Sequence, residues 1–221
     1  MKTTATFGIL LLAVATATAA PIAAWDVAGL DLDDGSHAPP YFVNADTTDV
    51  YIATACLTLS TNVQPSKSAD QYGFRIGSVS NISLTAAIQN GHYMEITLVA
   101  SNRYAMSLSS IEVLGRSSDA GCSDIALLST VDGYADDLTI VTLSDVNKYG
   151  GLDTDDSGFG GPIDLSNARF SGLRSVRFRL YAWNNSSDQG ITYIRSLVGF
   201  DLIINGTVAP MPVRGFQFIA R

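Results

Sequence analysis

Alternation of apolar and polar residues is the dominant pattern along this chain. Met94, Ile96 and Leu98 alternate with Tyr93, Glu95 and Thr97; Val176, Phe178, Leu180 and Ala182 alternate with Arg177, Arg179, Tyr181 and Trp183; Val198, Phe200, Leu202 and Ile204 continue the theme. A period of two puts one set of side chains on each face of a strand, so each run predicts a β-strand with its apolar face on a core. Further strands are predicted at 23–28, 50–59, 72–76, 104–114, 124–131 and 137–143. Within 104–114 the apolar phase changes between Leu108 and Ile111, across Ser109-Ser110, which predicts a bulge or a strand passing between sheets. The one candidate helix, at 84–90, has room for one or two turns. Turn pairs such as Asn90-Gly91, Asp132-Gly133 and Asn205-Gly206 separate the runs, together with a Gly/Asp segment from Tyr149 to Pro162. Strands spaced about ten residues apart are the mark of an antiparallel sandwich. The expected fold is therefore all-β, a single-domain antiparallel β-sandwich over 21–208, with 209–221 as a loosely held C-terminal tail.

Composition sharpens this picture. Of the 21 acidic residues only Glu95 and Glu112 are glutamates, and only Lys2, Lys67 and Lys148 among the 13 bases are lysines, so charged helix formers are nearly absent. The net charge of −8 lacks the basic footprint of a nucleic-acid or anionic-membrane binder. Residues 1–20 carry Lys2, an apolar block from Phe7 to Val14 and then Ala17-Thr18-Ala19-Ala20, which is the layout of a secretory signal peptide cleaved after Ala19 or Ala20. No second hydrophobic span follows, so no membrane span is expected after cleavage. Export permits a Cys56–Cys122 disulfide, although Cys56 also fits as a buried small hydrophobe, and neither cysteine has zinc-ligand spacing. Asn81, Asn184, Asn185 and Asn205 head glycosylation sequons, which matter only in a eukaryotic secretory path.

Three sets of residues are candidates for chemistry. Asp153, Asp155, Ser157 and Asp164 partly match the alternating oxygen ligands of a calcium loop, against the plainer alternative of a solvated acidic loop. Asp31, Asp33 and Asp34 before Gly35 are a weaker echo. If Val176, Phe178 and Leu180 face the core, then Arg177, Arg179, Tyr181 and Trp183 share the other face, where aromatic rings could stack on sugars and guanidinium groups bond hydroxyls or uronates. The alternative is that these aromatics cover a neighbouring element. Catalytic chemistry has little to draw on: His37 and His92 accompany no nucleophile elbow, and a glycosidase pair would need Glu95, Glu112 or aspartates.

The mature chain also resembles bacterial secreted proteins of the PEP-CTERM sorting-signal type. The resemblance rests on the order of Ala24-Trp25-Asp26, the segments 83–97 and 104–111, Ala126-Leu127-Leu128-Ser129-Thr130-Val131-Asp132-Gly133-Tyr134, the segment 176–184, and Leu202-Ile203-Ile204-Asn205-Gly206-Thr207-Val208. It implies a jelly-roll-like sandwich that is exported or surface-associated and has no assigned catalytic residues. The Pro-Glu-Pro tripeptide, apolar helix and arginine-rich end of the sorting signal do not follow Pro212, which leaves free secretion or periplasmic residence beside surface attachment. The expectation is thus a non-catalytic binding or structural module at the surface or in the extracellular matrix, engaging polysaccharide or a surface component and stabilised by calcium. A secreted polysaccharide hydrolase is the alternative.

Overall fold

The computed structural model describes residues 20–78, 82–113, 115–118, 120–135, 162–196 and 198–212, and the backbone of 141–143. Its strands in chain order are β1 (Ala20–Trp25), β2 (Val43–Asn44), β3 (Thr47–Thr48), β4 (Ile52–Leu59), β5 (Gln64–Pro65), β6 (Gln71–Arg75), β7 (Tyr93–Ala100), β8 (Tyr104–Val113), β9 (Gly115–Ser117), β10 (Cys122–Ser129), β11 (Val141–Leu143), β12 (Ile163–Asp164), β13 (Ser175–Asn185), β14 (Thr192–Arg195) and β15 (Leu202–Pro210). Among the described residues one α-helix, α1 (Leu84–Asn90), lies between β6 and β7, and a 3-10 turn spans Ala168–Phe170. The strands form three antiparallel sheets, ordered β12-β8-β15-β1-β3, β11-β10-β13-β7-β4-β2 and β5-β6-β14-β9.

The fold is an all-β antiparallel sandwich whose core is supplied by the apolar phase of each strand. Met94, Ile96 and Leu98 of β7, Val176, Phe178 and Leu180 of β13, and Ile125 and Leu127 of β10 meet Trp25, Met106, Ile111, Leu202 and Ile204 from the five-stranded sheet in one cluster. The four-stranded sheet adds Tyr72, Phe74 and Ile194 to the same core. At the expected phase change, Asn205 and Gly206 of β15 pair with Ser110 and Leu108, so Ser109 is the extra residue of a bulge and β8 stays with one sheet. Several boundaries differ from expectation: β1 runs over Ala20–Trp25 rather than 23–28, β10 over Cys122–Ser129 rather than 124–131, and β15 moves at both ends. Strand β15 begins at Leu202, leaving Val198 and Phe200 exposed ahead of it, and runs on to Pro210, which pairs with Tyr104 inside the expected tail.

The preference for aspartate over glutamate has a structural use. Four consecutive backbone N–H groups, from Asp26 to Gly29, leave β1 pointing at carboxylates drawn from across the chain. Asp26 N–H donates to Asp46 at 2.7 Å, Val27 to Asp201 at 2.9 Å, Ala28 to Asp26 at 2.8 Å and Gly29 to Asp70 at 2.7 Å. A short side chain reaches a nearby backbone donor at low entropy cost, and a buried N–H must have a partner. Asp201 is 1% exposed, so removing its carboxylate strands the Val27 N–H out of reach of water. Asp201→Ala should therefore lower the unfolding free energy by about 1–3 kcal/mol in urea titrations. Asp33→Ala, on an exposed loop, should change it by less than about 0.5 kcal/mol.

Candidate functional site

The face of β13 expected to carry a ligand is covered. Ser83 caps α1 by accepting the Ala86 N–H at 3.3 Å, and Gly91 ends the helix in the left-handed region at φ 67°. Between these caps Leu84, Ala87 and Ile88 form an i, i+3, i+4 stripe, which packs with Ala126, Leu128, Tyr181 and Trp183 in a second apolar cluster. Tyr181 is 1% and Trp183 7% exposed. The sugar-stacking platform expected at Arg177, Arg179, Tyr181 and Trp183 is corrected accordingly: its two rings bind α1 and have no open face for a sugar.

Arg179 and Glu95 form a network at the centre of that face, with Arg177 exposed at its rim. In register with one another across β13 and β7, Arg179 Nε donates to Glu95 Oε2 at 2.7 Å, and its Nη1 donates to the Tyr181 hydroxyl at 3.3 Å. The guanidinium lies 4.2 Å from the ring centre of Tyr93 and 4.1 Å from that of Tyr134. Glu95 also accepts from the Tyr134 hydroxyl at 3.3 Å and from Thr97 Oγ1 at 3.4 Å, with Arg177 Nε at 3.9 Å. Burial works against the Arg179 charge, but the bonds to Tyr181 and Glu95 outweigh it and hold its pKa above the ordinary value. Burial, then the Glu95 carboxylate, pushes the Tyr134 phenol well up.

Other candidates fall in separate places. Asp153, Asp155 and Ser157 lie outside the described residues. Asp164 is exposed on β12, where its Oδ1 accepts the Ser166 N–H at 2.8 Å. Asp31 and Asp34 likewise accept the N–H groups of Asp33 and Ser36. Among the described residues, no three His, Cys, Asp or Glu side chains gather as a metal site. The two glutamates point to opposite outer surfaces: Glu112 follows core-facing Ile111 on β8 and accepts from Asn205 Nδ2 at 2.6 Å, whereas Glu95 is on the far side of the six-stranded sheet. His37 is on the 33–40 loop, and His92 is buried just before β7, which lowers its pKa. The sequon asparagines Asn185 and Asn205 are buried, and their amides donate within the fold.

A polar cleft of 330 Å³ opens instead at the four-stranded sheet, lined by Ser68, Asp70, Gln71, Ser118, Tyr193 and Arg195 among others. Strand β14 places two of these groups. Thr192 faces inward with its Oγ1 3.0 Å from Ser117 Oγ, Ile194 enters the core, and the pleat turns Tyr193 and Arg195 to the other side. Tyr193 pairs with Gly73, where an added Cβ would lie 2.3 Å from the Tyr193 Cβ, so only glycine allows this approach. Sequence analysis missed β14 because Thr-Tyr-Ile-Arg alternates for only four residues. Its β-branched and aromatic content was the available signal. The site thus belongs to an all-β sandwich with a polar cleft on its smallest sheet. No protein-family model matches this chain, and a search of curated proteins finds no match.

Both cysteines are buried as free thiols, Cys56 on β4 and Cys122 on β10, so the disulfide that export permits is not formed. Burial pushes the Cys122 thiol up to about 12, and burial followed by the Glu95 charge raises that of Cys56. A thiol reagent at pH 8 should label neither cysteine in the folded protein and both after non-reducing denaturation. Loss of both labels in the denatured sample would mean the thiols had paired.

Proposed function

We propose that this chain is an exported, non-catalytic β-sandwich, a surface- or matrix-associated module that binds extracellular polysaccharide. The polar cleft at β14 carries the binding part of this reading: its serine hydroxyls, amide, carboxylate and guanidinium are the donors and acceptors that sugar hydroxyls use. Support for the non-catalytic part comes from Glu95, whose carboxylate is committed to Arg179, Tyr134 and Thr97, and from Glu112, committed to Asn205. Retaining and inverting hydrolases need two carboxyl groups facing one bond across about 5–9.5 Å, whereas these two glutamates point away from each other. The signal-peptide pattern of residues 1–20 and the resemblance of the mature chain to exported proteins support secretion.

The exported chain, incubated with a panel of insoluble polysaccharides, should sediment with at least one of them and release no reducing ends. Release of reducing ends that disappears in Glu95→Gln would overturn the non-catalytic reading and establish a hydrolase. Failure to sediment with any polysaccharide, with no binding to soluble oligosaccharides either, would overturn glycan binding.

A further inference from the structure

We infer that the cleft beside β14 accepts one neutral sugar residue, and that Arg195 and Asp70 together select against charged sugars. This rests on the glycan-binding reading above and narrows it to a place and a class of ligand.

The cleft lies between the start of β6 with its preceding loop and the outward phase of β14. Its framework is tied down before any ligand arrives. The Asp70 N–H donates to Leu30 O at 2.9 Å, its carbonyl accepts the Ser196 N–H at 3.0 Å, and its Oδ1 accepts the Gly29 N–H at 2.7 Å. On the opposite wall Ser118 N–H donates to Ile191 O at 2.9 Å, while the Ser118 hydroxyl accepts the Ile191 N–H at 3.0 Å. A pre-formed polar site loses little ordering entropy on binding.

The lining chemistry is balanced rather than signed. Arg195 only donates, the Asp70 carboxylate only accepts, and the Gln71 amide and the hydroxyls of Ser68 and Ser118 do both. A sugar hydroxyl also donates and accepts, so it suits the capacity these groups keep beyond their bonds within the fold, which include Gln71 Nε2 to Ser66 Oγ, Gly29 N–H to Asp70 and Ile191 N–H to Ser118. A uronate would gain Arg195 but meet Asp70, and an amino sugar the reverse; in either case one like charge is left beside the ligand. A neutral sugar meets no like charge. The volume of 330 Å³ is at the small end of the usual ligand range of about 300–1,000 Å³, which suits a single ring with bridging water.

The test is an amide NMR titration of the exported chain with neutral gluco-, manno- and galacto-oligosaccharides and with uronate oligosaccharides of equal length. The expected result is that a neutral sugar shifts amides of 68–71, 118 and 191–196 and binds more tightly than any uronate. Arg195→Met should weaken that binding about tenfold, while Arg177→Met, on the far sheet, should leave it unchanged. Asp70→Asn keeps an acceptor for Gly29 and gives a second variant: it should weaken neutral-sugar binding and narrow the gap to uronates. Neutral-sugar binding whose shifts map elsewhere, or that survives both cleft variants, would overturn this site while leaving glycan binding in place. Tighter binding of uronates would overturn the neutral class. Absence of binding to every oligosaccharide would remove the underlying reading as well.

Discussion

The Arg179 guanidinium, bonded to Glu95 at 2.7 Å and lying over two tyrosine rings, lets the central strand of the six-stranded sheet be covered on both faces. Antiparallel sheets usually leave one face to water. Strand β13 instead has Val176, Phe178 and Leu180 in the core and Tyr181 and Trp183 beneath α1. A charge at Arg179 on so enclosed a face would be costly without a partner, and the Glu95–Tyr134–Tyr181 network supplies several. Much follows from that enclosure. The most aromatic face of the sheet is used internally, Glu95 is held as a counter-ion, and Cys56, opposite Thr97 in the register, is shielded with them.

The open polar cleft lies instead at the smallest sheet. Strand β14 has one phase in the common core and the other turned outward, with Gly73 leaving room for Tyr193 and Gln71, next to the fixed Asp70, paired with Arg195. The aspartates serve the same economy. Those at 26, 46, 70 and 201 hold the turn after β1 by direct bonds to backbone N–H groups, and 31, 34, 49 and 164 close local turns. Acidic clusters that resemble cation loops in sequence are here, where described, largely devices for satisfying backbone donors.

The long strands were legible because burial imposes a period of two, which β7 and β13 express over many residues, whereas the two- to four-residue strands such as β9 and β14 were not. The bulge at Ser109 was legible for the same reason, since an extra residue inverts the phase. Helix α1 was legible only as room for one or two turns at 84–90, and its caps Ser83 and Gly91 were the signal left unread. Its docking partner could not be read, because Tyr181 and Trp183 look identical in sequence whether they meet solvent, a sugar or Ile88. The unmatched stripe Leu84, Ala87 and Ile88 was the clue that some apolar face had to receive it. The cleft was illegible for a different reason: its walls come from segments near 68, 118 and 193, and only the pairing of β6, β9 and β14 brings them together.

The aromatic face of β13 is closed, and the chain's two tryptophans report on it directly. Trp25 is fully buried in the core and Trp183 lies beneath α1. Iodide quenching of intrinsic fluorescence in the folded protein should therefore be weak and uniform, far below that of the same protein in denaturant. A component quenched as readily as in the denatured chain would show Trp183 open to solvent, and would return the Arg177–Trp183 face to consideration as the ligand surface.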